Sequence, residues 1–419
     1  MCFFLAMSAD PVTAAAKYKV LYGFCDVDPN CSDGAFPDTG LVEDANGNVY
    51  GGVFQGGAYG QGGIYKVTPK GKETIIHSFC AQNSCADGQS PSDLIMDGTG
   101  DIFGATSSGG ANGQGTVFKL APGKGGRWKF RVLYNFCSQT QCSDGSAPLA
   151  GLTYAGREMG QAYDGQSPLF GATSTGGASN NGVAFKLSFV AGKKKPRYEV
   201  IYNFCSQANC IDGAKPLYTL TTDSNGNIFG VAGGGDSNGD GIVFQLSPNG
   251  STYRETVLHT FCSEDSCADG KMPTGVAADM SGTLFGATAK GGANATGLVF
   301  KLAPNGARTQ ETVLYNFCSQ TNCSDGGFPA DGVTVAPNGD IFGTVLFWEG
   351  QQLGNSGLVY KVHGTKESVV HPFCAEQGCP DGTFPIASLL LDGKGILFGT
   401  TEMGGPSGYA GVLFRITKP

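Results

Sequence analysis

Apolar and polar positions alternate along this chain in short bursts broken by Gly, Asn, Asp and Pro, a two-residue period that predicts strands and no helices. The same four bursts recur in order. An apolar-aromatic-glycine segment such as Ile102-Phe103-Gly104 or Ile341-Phe342-Gly343 is followed by a loop with paired glycines. A second strand of the type Val117-Phe118-Lys119-Leu120 comes next, then a third of the type Val132-Leu133-Tyr134-Asn135-Phe136 that runs into a cysteine. Past the cysteine loop a proline (Pro37, Pro91, Pro148, Pro216, Pro273, Pro329, Pro385) leads into a short segment such as Gly40-Leu41-Val42. Turn signals such as Asn46-Gly47-Asn48 and Asn225-Gly226-Asn227 then close a hairpin back to the first strand.

The cysteines set the period. The first members of the pairs are Cys25, Cys80, Cys137, Cys205, Cys262, Cys318 and Cys374, and their respective partners are Cys31, Cys85, Cys142, Cys210, Cys267, Cys323 and Cys379. The copies therefore start 55, 57, 68, 57, 56 and 56 residues apart. No interval of that size could bury a core alone, so the copies must stack. Four antiparallel strands per copy and seven copies predict an all-β fold, a seven-bladed β-propeller with four-stranded antiparallel blades. The chain opens with a strand of the third type, Lys19 to Phe24, and closes with one of the second type, Gly411 to Ile416. The N-terminal strand should therefore complete the last blade and remove an open edge. Residues 1–16 read as a truncated export signal or disordered leader, with Cys2 inside it, and residues 17–419 as one propeller domain.

Composition narrows the compartment and the partners. Fourteen of 15 cysteines fall into the pairs, while the chain has only four histidines, His77, His259, His363 and His371. Zinc clips would want more nitrogen ligands, so the pairs read as local disulfides and the compartment as extracellular or periplasmic. A net charge of −8 argues against nucleic acid and anionic membranes, and no apolar run is long enough to span a bilayer. A monomer is expected.

The succession of aromatic strand, Asp-Gly, proline, Asn-Ile-Phe-Gly, paired glycines and Val-Phe-Lys-Leu resembles the Gloeobacter/Verrucomicrobia extracellular tandem repeat over nearly the whole chain after the leader. The resemblance implies an extracellular repeat protein and carries over no catalytic residue.

Candidate chemistry sits at three places. An aspartate follows each second cysteine (Asp33, Asp87, Asp144, Asp212, Asp269, Asp325, Asp381), read as an Asp-Gly turn or as an acidic ring open to a cation. The loop Asp236-Ser237-Asn238-Gly239-Asp240-Gly241 matches the core of a calcium loop, with Asp236, Asn238 and Asp240 as ligands but no later chelating acid; calcium is the only cofactor suggested. Copy six replaces its paired glycines by Leu346-Phe347-Trp348-Glu349-Gly350-Gln351-Gln352, so Phe347, Trp348, Glu349 and Gln351 suit stacking on a sugar and bonding its hydroxyls. Copy three carries an insertion around Arg157, Glu158, Tyr163 and Asp164, read as a tolerated loop extension on the face opposite the cysteine loops. The function expected is an extracellular binding module for a polysaccharide, a cell-surface glycan or an extracellular protein. The alternative is a polysaccharide hydrolase or lyase using Glu349 with Asp325 or Asp381 on the cysteine-loop face.

Overall fold

The computed structural model describes residues 16–157, 161–193, 195–234, 239–250, 252–305, 308–347 and 356–419. Seven antiparallel sheets form seven blades of a propeller ring, and the sheets contain no α-helix among the described residues. Blade 1 runs from its inner strand Val42–Glu43 through Val49–Val53 and Gly63–Val67 to its outer strand Glu73–Ser78. The other blades repeat that order, except that blade 3 is reduced on its inner side to a single bridge, Thr153 to Phe170. Blade 7 takes its outer strand from the start of the chain. Lys17–Gly23 lies antiparallel to Val412–Thr417, with Lys17 opposite Thr417 and Gly23 opposite Val412.

The core lies between blades. The phenylalanine that ends each outer strand inserts against the aromatic ring of the next blade: Phe24 on Tyr65, Phe136 on Phe185 and Phe317 on Tyr360, with centroids 4.9, 5.2 and 4.9 Å apart. All six are fully buried. Rings of this size each stabilise the fold by roughly 1.5–3 kcal/mol through burial, with a further contribution from edge-to-face geometry. The glycine of the Ile-Phe-Gly segment makes the room. A Cβ on Gly104 would stand 2.7 Å from the Phe118 ring, so any side chain there would collide with the aromatic it shelters.

All seven cysteine pairs form disulfides, each local to its own loop. Cys25 is bonded to Cys31, Cys80 to Cys85, Cys137 to Cys142 and Cys205 to Cys210. Cys262 is bonded to Cys267, Cys318 to Cys323 and Cys374 to Cys379. The second cysteine of each pair also turns the backbone. Cys31, Cys142, Cys210 and Cys323 have φ of 51, 52, 52 and 49°, in the left-handed region that only a tightly held loop imposes on a side-chain-bearing residue. That turn aims their carbonyls at neighbouring loops. Cys31 O accepts from Gly34 N at 2.8 Å and from Gly57 N at 3.0 Å, and Cys142 O accepts from Gly145 N at 2.8 Å and from Gly177 N at 2.9 Å. Cys210 O and Cys323 O accept from Gly213 N and Gly326 N at 2.8 and 2.9 Å. Gly57 and Gly177 are the second glycines of their paired-glycine loops, and Gly110 and Gly405 bond Cys85 O and Cys379 O in the same way. Cysteine loops and paired-glycine loops therefore share one face. The Asn-Gly turns occupy the other.

Candidate functional site

The sequence singled out the seven Asp-Gly aspartates, and the fold uses them as latches between blades. Six are at most 4 % exposed, so they present no acidic ring to solvent. Asp144 accepts from the backbone of Ser138 and Gln139 and from the Tyr134 hydroxyl at 2.6 Å, and Asp212 and Asp325 repeat this with Tyr202 and Tyr315. Where the tyrosine is replaced, His77, His259 and His371 bring Nε2 to 3.3, 3.5 and 3.1 Å from Asp87, Asp269 and Asp381. The histidines thus fill the tyrosine's place, and His371 also takes over its hydrogen bond to the aspartate.

Each latch faces a third group from the next blade, seven residues before its cysteine. At four seams that group is a glutamate: Glu73 beside Asp33, Glu255 beside Asp212, Glu311 beside Asp269 and Glu367 beside Asp325. Burial first, and the facing aspartate second, push these carboxyls up to about 8, 7, 8 and 7. At the remaining seams the group is aromatic. Phe130 stacks on His77 at 4.0 Å, Tyr198 on Tyr134 at 3.9 Å and Tyr18 on His371 at 3.8 Å.

Copies also differ in chemistry at the axis. The residue just before the inner-strand Leu or Val is Gly40, Asp93, Gly151, Thr219, Gly275, Gly332 or Ser388, so four copies keep glycine and three carry polar side chains. These residues touch around the ring. Gly40 N donates to Asp93 Oδ1 at 2.6 Å, Thr219 Oγ1 donates to Asp93 Oδ2 at 2.8 Å, and Ser388 Oγ donates to Asp331 Oδ2 at 2.6 Å. Gly275, at φ 128°, lies in a conformation side chains avoid, and a Cβ there would sit 3.0 Å from Gly332 Cα. The glycines let neighbouring backbones close, and Gly275 and Gly332 line one cavity together with the larger side chains.

That cavity measures about 330 Å³ and is lined by Asp93, Tyr218, Thr219, Asp331, Ser388 and Arg157 together with inner-strand backbone. Its walls continue down Thr334-Val335 and Leu390-Leu391 toward the turn face. Burial first and the nearby Asp93 carboxyl second push the Asp331 carboxyl up to about 6. Asp38, on the proline segment of blade 1, is pushed up to about 7 by burial and by the charges of Glu402 and Asp93. Tyr218 is pushed up to about 12, mainly by burial. Acceptors, hydroxyl donors and one guanidinium converge here, a combination that can bind a polyhydroxylated or cationic ligand.

Arg157 reaches the axis from the copy-three insertion, which lies on the turn face and is anchored there. Tyr163 is 1 % exposed, its ring stands 5.3 Å from that of Phe103, and its carbonyl accepts from Gly98 N at 3.2 Å. Glu158 of the same insertion lies outside the described residues. Sequence reasoning took this segment for a tolerated extension and missed Asp93, Thr219, Asp331 and Ser388 entirely. The signal that could have found three of them was the break in symmetry at one repeat position, where Asp93, Thr219 and Ser388 stand in place of glycine; Asp331 lies one position before it.

Most of the other sequence candidates lie outside the described residues. Trp348, Glu349 and Gln351 lie outside the described residues, and only the backbone of Phe347 is described, ending the strand Ile341–Phe347 opposite Gly327. Asp325 is fully buried at its seam, and Asp381 is bound to His371 and to the Cys374 amide. Asp236 and Asn238 are likewise outside the described residues. Asp240 groups with Cys262 and Cys267, whose sulfurs are committed to a disulfide and offer no thiolate. No helix of the described residues is long and apolar enough to cross a membrane.

Comparison with known proteins adds the family. A crystal structure described as a putative 6-phosphogluconolactonase from Bacteroides uniformis resembles the chain at 14 % identity and a TM-score of 0.47, covering 79 % of this chain and 83 % of that one. A search of curated proteins finds no match. The family model of the Gloeobacter/Verrucomicrobia repeat matches residues 10–221 and again 219–419, and with seven copies of the unit stacked into seven blades, the chain belongs to that repeat family.

Proposed function

We propose that this protein is a non-catalytic extracellular binding module for saccharides, with the axial cavity as its site. The observation that carries the reading is the axial ring itself. A chain that repeats its core aromatics and disulfides seven times also diversifies where inner strands converge, and places Asp93, Thr219, Asp331 and Ser388 around one cavity. Carboxylates and hydroxyls at fixed positions suit the vicinal hydroxyls of a sugar, which offer both donors and acceptors. Seven disulfides fit a chain matured outside the reducing cytoplasm.

A glycan array probed with the parent chain and with Asp93→Asn tests it. Binding to defined saccharides that falls at least tenfold in the variant, about 1.4 kcal/mol, supports the axial site. A parent that binds no glycan, or a variant that binds equally well, removes it.

A second reading is favoured by one specific observation, the Asp331 carboxyl that burial and the neighbouring Asp93 push up to about 6 in the same cavity. A carboxyl that keeps its proton beside a second acid can serve as a general acid. Incubation with plant and microbial polysaccharides decides: reducing ends or unsaturated products released by the parent, and not by Asp331→Asn, would make the protein an enzyme.

A further inference from the structure

A second cavity, of about 550 Å³, lies away from the axis on the turn face, between blades 1 and 2. Its walls are the hairpin turn of blade 1 around Asp44, the corresponding turn of blade 2 around Asp97, and the outer hairpin of blade 2 from Pro122 to Trp128. Ala162 of the copy-three insertion reaches its rim, beside Tyr163, which is bonded through its backbone to Gly98. Two departures from the repeat therefore meet at one groove. The blade 2 hairpin reads Gly123-Lys124-Gly125-Gly126-Arg127-Trp128, longer than the Lys70-Gly71-Lys72 of blade 1, and it carries one of the two tryptophans in the chain.

The charged groups facing this groove are Glu43, Asp44, Asp97, Lys66 and Arg127, and they divide by what already engages them; Glu43 lies near Asp392 and Lys394 of the last blade. Asp44 is used up by the amides of Asn46 and Asn48 and by the Tyr50 hydroxyl, and Asp97 Oδ1 by Thr99 and the Asp101 amide. Those two acids hold the turns. Arg127 is exposed and forms no ion pair among the described residues, and Lys66 lies over the Tyr50 ring at 5.7 Å with no acid paired to it there. Trp128 is half-buried, its ring edge-on to Tyr50 at 5.9 Å, and it lines the groove. An indole platform beside two cations that form no ion pair among the described residues is unusual on a chain whose net charge is −8. It matches a ring that stacks through its C–H face and carries a carboxylate at its edge.

We infer that this groove is a second binding site, independent of the axial one, and that it takes a uronic-acid-bearing saccharide. Trp128 stacks on the sugar, Arg127 and Lys66 hold its carboxylate, and the insertion at Ala162 closes one end. Titration calorimetry of the whole chain with trigalacturonate, and with neutral cellotriose for comparison, tests this. The parent should bind trigalacturonate at least tenfold more tightly than cellotriose, and added salt should weaken that binding. Arg127→Gln, a change at an exposed side chain, should lower the affinity for trigalacturonate at least tenfold, and Trp128→Ala should do so too with folding checked by thermal melting. No binding by the parent, equal binding of the neutral sugar, or an unchanged Arg127→Gln would each overturn the site. Loss of binding in Asp93→Asn with Arg127→Gln intact would place the acid sugar at the axis and overturn it as well.

Discussion

Replacing the four seam glutamates with glutamine (Glu73→Gln, Glu255→Gln, Glu311→Gln, Glu367→Gln) should flatten part of the pH dependence of stability. Each carboxyl is half-buried against a buried aspartate and holds its proton up to about 8, 7, 8 and 7, against an ordinary value of 4.5. The folded chain thus binds these protons to higher pH than the unfolded chain does. Their contribution is complete below the ordinary glutamate range and is lost as pH rises through the folded values. A tenfold change in proton affinity is worth about 1.4 kcal/mol, but water reaches each carboxyl and screens it, so about 1 kcal/mol per glutamate is the working figure. Four seams give a loss of roughly 4 kcal/mol between about pH 5 and about pH 9 that the glutamine variant does not share. His77 and His259, whose imidazoles burial pushes down, act in the opposite sense below their ordinary range, and they cancel because both proteins carry them. Guanidinium unfolding at a series of pH values reads the difference. Parallel stability curves for parent and variant would refute the idea that the glutamates enter the seams protonated.

Non-reduced peptide mapping should find seven bridges, each within one cysteine loop, as from Cys142 to Cys137 and from Cys323 to Cys318. Closing so short a loop contributes about 2 kcal/mol, and bridges between copies would contradict the fold. Deleting Lys17–Gly23 bares the edge of Val412–Thr417, so the truncated chain should melt lower and self-associate in light scattering. A monomer with an unchanged melting point would show that this pairing does not hold the ring. Tyr163→Ala should cost about 3 kcal/mol in chemical unfolding, since its buried ring anchors the insertion under blade 2. A change below about 0.5 kcal/mol, the range typical of surface sites, would restore the insertion to a tolerated loop.

The fold was legible because its determinants are local and repeated. The two-residue period, the glycine beneath each aromatic and the paired cysteines each occur in every blade, so one copy checks another. The latches were half legible. An Asp-Gly turn can be read from Asp144 and Gly145, but its contact with Tyr198 spans 54 residues and follows only from stacking the blades. The axial cavity was not legible for a related reason. Asp93 and Asp331 are 238 positions apart and meet only because inner strands converge on one axis. The anchoring of the insertion was not legible because Tyr163 looks in sequence like any loop tyrosine, and its burial depends on Phe103 in the preceding blade.

The most direct measurement is a crystal structure of the chain with a saccharide selected from the array. The account places the sugar in the axial cavity, with its hydroxyls bonded to Asp93 and Asp331 and within reach of Thr219 and Ser388. A sugar bound only on the cysteine-loop face, with the axial cavity holding solvent, would contradict it.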